Sequence, residues 1–140
     1  MLRQSSRVLT VQTKGTGFTE ITRLVQGFVA DSGLEEGLLT LLLQHTSAGL
    51  TITENADSAV LADLTDRLAV LAPRDPSLYR HGVEGPDDMP AHIRAMLTNV
   101  QLSIPVQEGR PALGTWQGIF VVEHRARGHH RSVVAHLIGR

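Results

Sequence analysis

The chain contains no cysteine. Disulfides, thiolate metal sites and a cysteine nucleophile are therefore excluded, and the absence fits a reducing compartment. Aromatic residues make up only 4% of the chain, with one Trp and one Tyr, so any core must be built from Leu, Val, Ile and Ala. Neither sign of charge is in excess. Lys and Arg number 13 against 14 Asp and Glu, a formal net charge of −1, which offers no broad field for capturing nucleic acid or an anionic membrane. No run approaches the roughly 18 apolar residues of a membrane span. The opening Met1-Leu2-Arg3-Gln4-Ser5-Ser6-Arg7 lacks the apolar stretch of a secretory signal. A cytoplasmic protein with neither nucleic acid nor membrane as partner is the expectation.

The material that is present suffices for a fold. The 140 residues suit a single domain, 1–140. An apolar share of 41% is that of an ordinary globular chain. Histidine stands out, with seven copies, a load that suits acid–base work or metal binding as readily as exposed rings without a role.

Hydrophobic spacing predicts the elements. Residues 5–13 read as a first strand, broken by Gly15-Thr16-Gly17. Phe18, Ile21, Leu24, Val25, Phe28 and Val29 form a helical stripe, with Thr16 or Thr19 as cap and Gly33 as the stop. The run 38–44 reads as a buried strand, and 49–53 as a second strand with alternation. A second helix follows Asn55 and Asp57, with Val60, Leu61, Leu64, Leu68 and Leu71 as its stripe. The proline-rich loop 73–90 leads to a short helix that Pro90 opens. Strands are expected from Val100 to Val106, where Pro105 suggests an edge or a bulge, at 119–124 and at 133–138. The class is α+β, with a mixed or antiparallel sheet and two to three helices.

The sharpest chemical constellation is His45, His81 and His92. Three imidazoles, or two and a carboxylate, make an open site for Zn²⁺ or another divalent ion such as Mg²⁺ or Mn²⁺. The alternative is a loop histidine and a solvent-facing helical one. Asp57, with Glu54 and Asn55, either orients an imidazole or caps a helix. Asp87 and Asp88 either bind a cation or favour a helix N-terminus. Ser47 lies too near His45 along the chain for nucleophile-and-base geometry, and no G-x-S-x-G elbow exists. Gly114-Thr115-Trp116-Gln117-Gly118 permits close backbone approach, with Trp116 to stack on a flat ring and Gln117 to bond its edge. A packed tryptophan anchoring a turn explains it equally. Arg125 and Arg131, in a cluster with Arg127, His129 and His130, offer guanidinium groups to a phosphate or belong to a solvated turn.

Taken in order, His45-Thr46-Ser47-Ala48, Glu54-Asn55-Ala56-Asp57, Tyr79-Arg80-His81, Asp87-Asp88-Met89-Pro90-Ala91-His92-Ile93, Ile104-Pro105-Val106, Leu113 to Gly118 and Glu123-His124-Arg125 resemble the YjbQ family. The match runs from about residue 38 to the C-terminus. The resemblance implies a β-sandwich-like α+β fold assembled as a homotrimer. It also implies a pocket around the His45, His81 and His92 motifs. The implied activity is a weak secondary thiamine-phosphate synthase: a pyrimidine pyrophosphate joins a thiazole phosphate and pyrophosphate leaves. On this reading His45, Asp57, His81 and His92 are the catalytic candidates. Ser47, Asn55, Thr115, Trp116, Gln117, Arg125 and Arg131 are the candidates for binding a small phosphorylated metabolite. Two other functions remain open: a metal-dependent hydrolase of a phosphorylated or acyl metabolite, and a non-enzymatic trimer that binds a small ligand or metal.

Overall fold

Alternating burial along the strands sorts the chain into two antiparallel sheets, described by a computed structural model of residues 1–140. The larger sheet has the order β1-β8-β3-β5-β6, from β1 (Arg3–Gln12), β8 (His130–Gly139), β3 (Gly37–Leu43), β5 (Gln101–Gln107) and the two-residue β6 (Arg110–Pro111). The smaller has the order β2-β7-β4, from β2 (Gly17–Glu20), β7 (Gln117–Glu123) and β4 (Ala48–Glu54). Three helices complete the α+β fold: α1 (Thr22–Ser32), α2 (Ser58–Leu71) and α3 (Asp88–Leu97), with one 3-10 turn at Pro76–Leu78. A core of 20 buried residues draws Leu9, Leu41, Ile104 and Ala135 from the larger sheet, Leu50 and Val121 from the smaller, and Val25, Phe28 and Val29 from α1. No helix is long and apolar enough to cross a membrane.

Several local readings are corrected. The helical stripe predicted from Phe18 begins at Thr22 instead, because Gly17 to Glu20 pairs with β7 and the Phe18 and Phe120 rings meet edge to face at 5.9 Å. The run Leu38–Leu43 is buried on one face only. Leu39, Leu41 and Leu43 enter the core, while Leu38 and Leu42 lie on the outer face of the sheet. The strand with an unbroken buried run is β7, the central strand of its sheet, covered on both faces. The third correction concerns α2, whose apolar stripe contains no fully buried residue. It lies loosely over the smaller sheet and leaves a groove of about 260 Å³ lined by Phe18, Ile52, Leu64 and Leu97. Neither Thr16 nor Thr19 caps α1, whose N-cap is Ile21 with no side-chain cap, because Thr19 is drawn into β2; two other turn signals act as expected. Gly33 ends α1 with φ at 70°, and Asp57 caps α2 by accepting the Ala59 amide at 2.9 Å. Pro90 does not open α3, which begins at Asp88, but as its third residue it still sits in the first turn, where its missing N–H is not needed.

Close approach of β4 to the end of α3 requires Gly49. A Cβ there would lie 2.0 Å from Thr98 Oγ1, 2.8 Å from Thr98 Cβ and 3.0 Å from the Asn99 carbonyl. Gly49→Ala must displace the backbone after α3. We expect a loss of about 1–3 kcal/mol, the usual cost of overpacking. It would be read as a lower urea midpoint at unchanged m-value.

Candidate functional site

The β3–β4 turn, the β7–β8 turn and the segment leading into α3 come together around Asp88. This residue opens α3, and its carboxylate is almost wholly buried. Its Oδ2 lies 2.7 Å from His81 Nε2 and 2.9 Å from His92 Nε2. Its Oδ1 forms an ion pair with Arg125 Nη1 at 2.9 Å. Burial pushes the Asp88 carboxyl up, but the His81 bond and the charges of His92 and Arg125 outweigh it and hold the group below the usual range. His92 lies one helical turn after Asp88, and the i, i+4 spacing puts both on one face of α3. The two imidazole rings are 5.5 Å apart.

His92 is oriented from its other side. Its Nδ1 lies 2.7 Å from the Thr46 carbonyl, which can only accept, so Nδ1 carries the hydrogen. In the neutral ring Nε2 is then the lone-pair nitrogen, and it faces a carboxylate oxygen. A lone pair turned to a carboxylate calls for a cation between them, either a second ring proton or a metal. The donor atoms of His81, Asp88 and His92 all lie within 4.8 Å of one another.

Arg125 is fully engaged. Besides Asp88 it binds Asp87 Oδ2 through Nε at 2.9 Å and the Glu84 carbonyl through Nη2 at 2.9 Å. Its bond holds the Asp87 carboxyl well down, to about 2. A guanidinium so occupied is an orienting group for the carboxylates and has little left for a phosphate. Next to it opens a cavity of about 520 Å³ lined by Glu84, Asp87, Arg125, Arg127 and His129.

His45 stands outside the cluster, and Asp88 takes the third position. The His45 Nε2 accepts the Ser132 amide at 2.8 Å, which removes that nitrogen from metal binding. Burial, followed by the nearby Arg131 charge, lowers its pKa and favours this neutral acceptor form. Arg131 and Ser47 are also turned inward. Arg131 Nε donates to Glu123 Oε1 at 2.9 Å and its Nη2 to Ser47 Oγ at 3.1 Å. A second pairing joins Arg131 Nη2 to Glu123 Oε2.

The remaining candidates lie at the opposite end of β7, about 20 Å from Glu123 at the strand's rise per residue. There Asn55 Nδ2 donates to Glu20 Oε2 at 3.3 Å, and Gln117 Oε1 closes its own turn by accepting the Gly114 amide at 2.7 Å. Thr115 and Trp116 are exposed, and Asp57 is spent on its helix cap. Within one chain these residues do not share a pocket with His81 and His92. The largest groove, about 680 Å³, opens beside Asn55, Glu20 and Arg23, and neither His81 nor His92 lines it. Two contributors escaped the sequence reading: the Thr46 carbonyl and the buried Glu123. The Asp88-x-x-x-His92 spacing, i to i+4 within one helix, is the sequence signal for the third donor.

The chain matches the family model described as UPF0047 protein YjbQ-like over residues 7–140. It is 47% identical to a UPF0047 protein of Synechocystis, across 98% of this chain and 93% of that one. It is 46% identical to the UPF0047 protein YjbQ of Salmonella typhimurium, across 95% and 96%. Among solved structures, a conserved hypothetical protein of Thermus thermophilus superposes with a TM-score of 0.82 at 40% identity, covering 91% of this chain and 97% of that one. A YbjQ-like protein of unknown function from Sulfolobus solfataricus shares the fold at a TM-score of 0.91 and 23% identity, with both chains covered in full. By the extent and identity of these matches, the chain belongs to the UPF0047 family of YjbQ-like proteins.

Proposed function

We propose that this chain is a metal-dependent transferase, with a divalent cation held by His81, Asp88 and His92. The proposed reaction is the thiamine-phosphate synthase coupling of a pyrimidine pyrophosphate to a thiazole phosphate. The observation that carries the metal is the convergence of two imidazole Nε2 atoms on one oxygen of a buried carboxylate. Each of two donors has its other side already held, His92 by the Thr46 carbonyl and Asp88 by Arg125, which is the usual setting of metal ligands. The fit is close. Two donors on one Zn²⁺ stand about 3.3 Å apart at ordinary bond lengths, so separations of 2.7 and 2.9 Å need to open by only a few tenths of an ångström. Two imidazoles and one carboxylate suit Zn²⁺, Fe²⁺ or Mn²⁺ better than Mg²⁺, which prefers oxygen.

A cation there would supply charge neutralisation for a pyrophosphate leaving group. The thiazole nitrogen bonds to the pyrimidine methylene carbon as its C–O bond to pyrophosphate breaks, and the electron pair departs with pyrophosphate. No redox partner is required. In the adjoining cavity, Arg127 is the side chain placed to meet phosphate oxygens, while His129 has its Nδ1 held by the Arg127 carbonyl at 2.9 Å and only its Nε2 to offer. The same proposal includes a cytoplasmic, homotrimeric protein. Supporting assembly, the outer face of the larger sheet carries Val8, Leu38, Leu42, Val134 and Ile138 among Ser, Thr, Gln and His, with no charged side chain in the rows paired across β1, β8, β3 and β5 between Gln4 and Val8. Depletion of charge is what interface centres favour.

Metal content by mass spectrometry tests the reading. About one Zn²⁺, Fe²⁺ or Mn²⁺ per chain is expected in the wild type, with loss in His81→Ala and His92→Ala, and metal-dependent pyrophosphate release from the two substrates together. No metal after reconstitution with Zn²⁺, Mn²⁺ and Mg²⁺ overturns it. Metal binding with turnover of phosphoesters or lactones alone replaces the transferase with a hydrolase.

A further inference from the structure

We infer that the buried Glu123–Arg131 pair positions the metal ligands, with one carboxylate anchoring both groups that orient them; this rests on the metal reading above. Glu123 is 0% exposed and Arg131 3%. A buried ion pair is a costly way to stabilise a fold, and apolar replacement of such pairs is often neutral or favourable. Its value here lies in what it holds.

Two routes leave the Glu123 carboxylate. Along the first, Glu123 Oε1 accepts Arg131 Nε at 2.9 Å, and Arg131 Nη2 donates to both the carbonyl of Ser47 at 3.3 Å and its Oγ at 3.1 Å. The next residue, Ser132, takes up the same turn: its amide donates to His45 Nε2 at 2.8 Å and its carbonyl accepts the Gln44 amide at 3.0 Å. Gln44, His45 and Ser47 are thus tied to β8. Between them, the Thr46 carbonyl meets His92 Nδ1 at 2.7 Å. Along the second route, Glu123 Oε2 accepts the Arg125 amide at 3.1 Å, at the start of the turn whose Arg125 guanidinium grips Asp88 Oδ1. Thr13 Oγ1 donates to Glu123 Oε1 at 2.6 Å and steadies the hub from β1's end. The Thr46 carbonyl chooses the His92 tautomer and Arg125 chooses which Asp88 oxygen faces the imidazoles. Both are referenced to one side chain, so their relative geometry is set by Glu123. His45, in this arrangement, is a positioning residue of the turn.

The test is zinc titration of the apoprotein, with ¹⁵N NMR of the His92 ring, on the wild type and on Glu123→Gln/Arg131→Met. The double variant removes both charges and leaves neither unpaired. A folded double variant should bind Zn²⁺ about 10–100-fold more weakly, the range for groups that orient ligands. Its apo His92 should lose the Nδ1–H tautomer, which a general loss of stability would not alter. If the double variant does not fold, Arg131→Lys carries the test. A lysine keeps the charge beside Glu123 but lacks the fork that spans Glu123 and Ser47, so weaker zinc binding is again expected. Unchanged affinity and tautomer in a folded variant overturn the inference while leaving the metal site standing. No zinc binding by the wild type overturns both.

Discussion

Asp88→Asn should lower zinc affinity by more than about 100-fold while the chain stays folded. Loss of a group that merely orients a ligand costs about 10–100-fold, and in the proposed site Asp88 is a direct donor. Asparagine keeps the shape but withdraws the negative charge on which His81, His92 and Arg125 converge. The fold tolerates the change because Arg125 retains its bonds to Asp87 and the Glu84 carbonyl. What the apoprotein loses is the buried charge that faces Arg125 and favours the first turn of α3, about 2 kcal/mol, the upper end of the range for such positions. Thermal unfolding with and without zinc separates the effects. A cation at 100 times its dissociation constant stabilises the native state by about 2.7 kcal/mol, a shift of several degrees for a domain of this size. That shift should vanish in Asp88→Asn and in wild type treated with EDTA. An equal shift in the variant would remove Asp88 from the site.

Stability should also fall by roughly 3 kcal/mol as the pH drops from 6.5 to 4, with His124 as the source. This ring is 1% exposed. Burial, then the neighbouring Arg94 and Arg131 charges, hold it down to about 4 against the opposing pull of Glu123. Between its ordinary 6.5 and that value, the unfolded chain takes up a proton that the folded chain refuses. The contribution is therefore complete above pH 6.5 and is lost as the pH falls towards 4. His124 is fixed by Thr98 Oγ1 at 3.1 Å from Nε2, so His124→Gln retains a polar partner and should flatten the profile across this window. His45 is lowered in the same direction and leaves a smaller slope in the variant. The carboxylates Asp87, Asp88 and Glu123 are held below their ordinary values of 3.8, 3.8 and 4.5, so their share begins to be lost at the acidic end of this window and goes mostly below it. Urea unfolding at pH 7, 5.5 and 4.5 reads the difference; parallel profiles for wild type and His124→Gln would reject His124 as the source.

The elements that were legible are those whose signal is local. Gly33 ends α1, Asp57 caps α2, and the alternating Leu102, Ile104 and Val106 turn to the core. Where several partners compete for one segment, the local pattern misled. Phe18 has helical spacing to Ile21 and Val25, yet pairing with Val122 outweighed it. Leu38 and Leu42 read as buried because periodicity cannot tell a covered outer face from an open one. At the site, His81 and His92 were found by residue type. Their third companion was named as His45, whose Nε2 is used by the backbone of Ser132, 87 residues away in sequence.

The sequence by itself determined the α+β class, the family, the exclusion of thiol chemistry, and the histidines around which a cation can sit. These depend on composition, short-range periodicity and motif order. Only the tertiary structure decided which donors converge. It chose Asp88 over His45, turned Arg131 and Ser47 inward to Glu123, and separated Trp116 and Gln117 from the histidines by the length of β7. The physical reason is that orientation is a long-range property. The Thr46 carbonyl that orients His92 is 46 positions away, and the charge that anchors its turn lies on a strand from the far end of the chain.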